Sequence, residues 1–130
     1  MSYRMALVEA GATVHVMKAF GDWRGSWGAL VTYEGKTGWV TGSYGSCSGC
    51  DAFVGEFGDC VGKDGKPIDQ VDYDKRLYAF GRDYLEYSFM TQEEAEAMVI
   101  ANAEWDLQSD EVLAFIKQNT RKGQLGECAI

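Results

Sequence analysis

Thr37-Gly-Trp-Val-Thr-Gly-Ser-Tyr-Gly-Ser-Cys-Ser-Gly-Cys-Asp-Ala-Phe53 starts as a strand and ends at an apolar run. Trp39, Val40 and Thr41 are strand formers, and Gly42 reads as the point where the strand breaks into a small, polar turn. That turn carries Cys47 and Cys50 and leads through Asp51 into Ala52, Phe53 and Val54. Upstream, Trp27 to Tyr33 is a second strand-like run, and only Glu34, Gly35 and Lys36 stand between it and the strand at Gly38–Thr41. Two β-rich runs separated this closely predict a hairpin.

Further out, Thr13 to Lys18 alternates, with Val14 and Val16 pointing one way and His15 and Met17 the other. Phe20 to Gly25 reads as a turn, and residues 3–10 as a short helix closed by Gly11. The first half therefore predicts an antiparallel meander of three or four strands, with Trp27, Tyr33 and Trp39 packing across it.

The second half changes period. Ala52 to Phe57 suggests a short helical segment, and Gly58 to Pro67 a glycine-rich loop. Residues 70–80 read as helix, with Leu77, Phe80, Tyr84 and Leu85 near one stripe; 82–90 is ambiguous, because Gly81 weakens a helix by about 1 kcal/mol. Thr91-Gln-Glu-Glu94 is a capping box, predicting a helix to about Trp105 that buries Ala95, Met98 and Val99. Ser109 caps a last helix, with Asp110 and Glu111 in its first turn and Lys117, Arg121, Lys122 and Gly123 at its end. The fold class is α+β: an N-terminal antiparallel sheet of three to four strands, with one face covered by C-terminal helices. The expected core is Leu30, Val31, Trp39, Val40, Leu77, Met98, Val99, Leu113, Phe115 and Ile116. At 130 residues the chain predicts a single domain spanning 1–130.

No apolar run approaches the roughly 20 residues of a membrane span, and the N-terminus lacks the pattern of a signal peptide. A cytoplasmic, reducing compartment follows as the expectation, where cysteines are thiols or metal ligands before they are disulfides. The Cys47–Cys50 spacing suits a zinc ion with Cys60 as a third ligand, although the other candidates, Cys128 and His15, are scattered. It also suits thiol–disulfide exchange, against which Asp51 raises a neighbouring thiol pKa. A third reading makes the cysteines small hydrophobes in a tight turn, without cofactor.

Gly42 to Phe53, following a hairpin of this type, resembles a segment of small phage and prophage proteins of unassigned function. The resemblance spans residues 23–58 and implies a phage accessory protein, without a catalytic residue or cofactor to carry over.

Charge is distributed unevenly. Residues 1–66 hold 7 acids and 6 bases, whereas 67–130 hold 13 acids and 6 bases, so nearly all of the net −8 lies in the second half. The stretch 83–116 carries Asp83, Glu86, Glu93, Glu94, Glu96, Glu104, Asp106, Asp110 and Glu111 with no Lys or Arg. Such a field repels nucleic acid and attracts basic protein surfaces, or simply keeps the chain soluble. With no nucleophile motif near His15 and no phosphate-binding loop ending at Gly65, the expectation is a non-enzymatic protein. Together with the resemblance, it suggests an inhibitor of a basic host nucleic-acid-binding enzyme, anti-CRISPR or anti-restriction in kind.

Overall fold

Three strands, β1 (Thr13–Gly21), β2 (Gly25–Tyr33) and β3 (Lys36–Tyr44), form an antiparallel sheet in the order β1-β2-β3. They belong to a computed structural model that describes residues 2–21, 25–45, 51–101 and 109–128, with Ser2 and residues 120–128 as backbone alone. Tyr33 pairs with Lys36 across Glu34 (φ 52) and Gly35 (φ 79). Two successive left-handed residues match the twist of the flanking strands, which makes this the tightest hairpin connection available. Helices α1 (Ser2–Glu9), α2 (Ala52–Phe57), α3 (Gln70–Tyr87), α4 (Gln92–Ala101) and α5 (Ser109–Cys128) complete the α+β fold, with a 3-10 turn at Gly58–Cys60.

Phe20, Gly21 and Gly25, expected in a turn, are paired residues of β1 and β2, and the sheet departs from the sequence expectation in two further places. Val14 and Val16 do not share a face: the register shifts between them, leaving His15 in a bulge. Val14 packs with Trp27, Ala29 and Val31, whereas Val16 packs with Leu30 and Trp39. Strand β3 also does not break at Gly42, which pairs with Trp27. A Cβ at Gly42 would lie 2.7 Å from the Trp27 indole, so glycine lets the ring lie against the strand rather than ending it.

Helices cover both faces of the sheet, where one was expected. Trp27, Ala29, Val31 and Val40 face Tyr3 and Leu7 of α1 and Leu85 of α3. Leu30 and Trp39 face Ala95 and Val99 of α4 and Val112, Phe115 and Ile116 of α5. Trp27 and Trp39 consequently lie on opposite sides and do not stack across strands. Trp27 meets Tyr3 and Tyr84 at ring-centroid distances of 5.2 Å each, while Trp39 meets Phe115 at 5.6 Å. Tyr33 shares the face of Trp27.

Helix α3 runs unbroken through Gly81. A Cβ at that residue would lie 1.9 Å from the carbonyl oxygen of Ala6, so glycine marks the crossing of α1 and α3. After α3 the chain makes one backbone bridge to β3: the Trp39 and Met90 backbones exchange N–H···O bonds of 2.8 Å in each direction. That bridge is all that residues 82–90 contribute to the sheet. Helix α4 begins as the capping box predicts, and α5 continues past Gly123 to Cys128. Of the expected core, all residues are buried except Met98 and Leu113, which are half-buried against Leu30, Trp39 and their neighbours.

Candidate functional site

The acidic helices start from their caps. The Thr91 hydroxyl accepts from the Glu94 amide at 3.2 Å, and the Glu94 carboxylate accepts from the Thr91 amide at 3.1 Å. Glu94 therefore closes the first turn of α4, and of the other acids of that helix Glu93 is exposed and Glu96 half-buried. Just inside the cap, Gln92 ties the layers together: its Oε1 accepts from Trp39 Nε1 at 2.6 Å and its Nε2 donates to the Ile116 carbonyl at 3.3 Å. Asp110 and Glu111 are exposed in the first turn of α5, where the helix dipole favours negative charge.

Asp83 and Glu86 are exposed on α3, which packs on the other face of the sheet. Glu86 accepts from Arg82 Nε at 2.7 Å in an i,i+4 ion pair that solvent screens at such exposure. Glu104 and Asp106 lie outside the described residues. The base-free stretch is thus divided: Glu93, Glu94, Glu96, Asp110 and Glu111 belong to the α4–α5 layer, and Asp83 and Glu86 to the α1–α3 layer. Among the described residues, no ion pair engages Asp83, Glu93, Glu96, Asp110 or Glu111.

Cys47 and Cys50 also lie outside the described residues, but both ends of their segment are held by Asp51. This carboxylate is 7% exposed, the only buried charged side chain among the described residues. It accepts from the Tyr3 hydroxyl at 2.7 Å, the Gly45 amide at 2.9 Å, the Phe53 amide at 2.9 Å and the Val54 amide at 3.1 Å. Asp51 is therefore the N-cap of α2 and the anchor of α1 at once. Burial by itself would raise its pKa, but the four hydrogen bonds outweigh it and hold the carboxyl below its ordinary value. The same contact works the other way on Tyr3: burial first, then its bond to Asp51, pushes the phenol well above its ordinary range. An aspartate ahead of an apolar run is a readable N-cap signal. Its long-range partner, Tyr3, left no trace in the sequence.

Cys60 is a buried free thiol whose Sγ accepts a hydrogen bond from Arg76 Nη1. The same guanidinium donates to the Glu56 carboxylate at 3.1 Å and the Glu56 carbonyl at 2.7 Å. Among the described residues no group of three or more His, Cys, Asp or Glu side chains converges on a metal-sized site. His15 is exposed in its bulge with Nε2 2.7 Å from Thr32 Oγ1, which in turn lies 2.8 Å from Thr37 Oγ1.

Among the described residues, no helix is long and apolar enough to cross a membrane. Comparison with protein-family models, curated proteins and solved structures finds no match to this chain.

Proposed function

We propose that the chain is a non-enzymatic binding protein whose α4–α5 layer presents an acidic surface to a basic protein partner. The observation that carries this reading is the set Glu93, Glu96, Asp110 and Glu111. These acids stand on two adjacent helices with no ion-pair partner among the described residues, and no Lys or Arg follows Arg82 until Lys117. Acids arranged this way can stand in for phosphates against a groove that evolved to bind nucleic acid. The resemblance of residues 23–58 to phage proteins supports a host nucleic-acid-binding enzyme, of the defence type, as that partner.

The test is displacement of labelled duplex DNA from host restriction and CRISPR nucleases at low and high salt. Displacement that weakens as salt rises is the expected result, because exposed charges are screened beyond about 8 Å at physiological ionic strength. Glu93→Lys with Glu96→Lys should raise the concentration needed by about tenfold, equivalent to about 1.4 kcal/mol. Glu94 stays in place because it caps α4. If no nuclease releases its DNA, or the double variant works as well as wild type at both salts, the surface is only solubilising. Stoichiometric zinc in the purified protein, lost in Cys47→Ser, would transfer the assignment to the cysteine segment.

A further inference from the structure

On the side of the sheet away from α4 and α5, α1 and α3 leave a groove of about 430 Å³ between them. Its apolar floor is Met5, Val8, Tyr73 and Leu77, and its rim is Arg4, Glu9, Gln70 and Asp74. Met5 and Val8 are 52% and 53% exposed, unusual for the apolar positions of a helix whose other side is packed against the core. The helix has no need of them there: Tyr3, Ala6 and Leu7 already supply its buried face. Gly81 draws the helix axes together at Ala6, so the groove opens beside that close crossing.

We infer that this groove is a docking site for a short amphipathic helix with lysine or arginine flanking its apolar stripe. The occupant's chemistry follows from the rim. Glu9 and Asp74 stand beside the apolar floor with no ion pair among the described residues and outnumber Arg4, the one base of the rim. An acidic segment would meet two like charges at the rim, whereas a basic one meets opposite charges as its apolar side chains enter. Groove-bound helices are read through apolar anchors at i, i+3 and i+4, and the apolar floor here offers them a seat. Met5 adds an adaptable surface, since its unbranched thioether fits differently shaped partners. The surface is independent of the acidic α4–α5 layer.

The probe is a fluorescent model helix of leucine and lysine with helical periodicity, compared with its leucine–glutamate counterpart and with oligolysine. The leucine–lysine helix should bind and shift the backbone amide resonances of Met5, Val8, Tyr73 and Leu77; the other two should bind at least tenfold more weakly. Val8→Glu should weaken binding about tenfold with an unchanged circular dichroism spectrum, since the side chain is already half in solvent. Glu9→Lys with Asp74→Lys should invert the preference toward the leucine–glutamate helix. Glu93→Lys with Glu96→Lys should leave it unchanged, which separates this site from the α4–α5 reading. No binding, equal binding of oligolysine, shifts confined to α4 and α5, or a dimer that closes the groove with a second copy would each overturn the inference.

Discussion

The two faces of the sheet are covered in different ways. On the α1–α3 face the helices come from either side of the sheet in sequence, and aromatic rings dominate: Tyr3, Phe53, Phe57, Phe80, Tyr84 and Trp27 form a chain of ring contacts. That layer depends on a glycine crossing and on one buried carboxylate reaching three segments. On the α4–α5 face two consecutive helices pack a mainly aliphatic layer, started by a cap whose partners lie three residues apart. The first face rests on long-range geometry and the second on local signals. A change of one atom should therefore cost more on the first.

Gly81→Ala sets the upper end of that contrast. The added methyl would overlap the Ala6 carbonyl, a backbone group that cannot rotate away, so α1 and α3 must separate. Urea unfolding should show a loss of about 3 kcal/mol. A neutral or stabilising result, as glycine-to-alanine gives in an unobstructed helix, would show that the helices are not in contact there.

Asp51→Asn comes next, at about 2 kcal/mol, because charge-assisted bonds to Tyr3 and three amides are weakened while their donors stay buried. The variant should also change the pH profile. A carboxyl whose folded pKa is depressed contributes stability that is complete above its ordinary value of 3.8 and is lost as pH falls through the lower folded value. Wild type should lose that increment below about pH 4, and Asp51→Asn should lack it. Parallel acid unfolding curves for the two proteins would contradict the assignment.

The smallest effect belongs to the other face. Thr91→Ala removes one reciprocal bond of the α4 cap and should cost about 1 kcal/mol by the same urea measurement. A loss as large as that of Gly81→Ala would erase the contrast between the two layers.

What could be read from the sequence follows the same division. The capping box at Thr91 and Glu94, the α2 boundaries and the hairpin at Glu34-Gly35 are local patterns, and each appears where expected. The strand break expected at Gly42 and the ambiguity of the chain after Gly81 have one cause. A glycine's cost to an isolated element is visible in sequence, but the ring or carbonyl occupying the space of its missing Cβ is not. Coverage of both faces was signalled, because Trp27 to Val31 is buried at every position and reads as a continuous rather than an alternating apolar run. The bulge at His15 has no comparable signal. The exposure of Asp83, Glu86, Glu93, Glu94, Asp110 and Glu111 was legible; their division between two layers depends on where α3 ends and α4 begins relative to the sheet.

The single bridge between Trp39 and Met90 also bears on how copies of this molecule can meet. A sheet extends from chain to chain only where backbone groups at its margin are unengaged, and an indefinite ribbon needs two such margins on every chain. Here the Met90 backbone occupies the outward-facing groups of Trp39 midway along β3, so an incoming strand would have to expel it. The margin along β1 remains, but it is kinked at His15 and carries the Lys18 cation. Stacking through the sheet would thus stop at a pair, β1 against β1, instead of growing into a fibre.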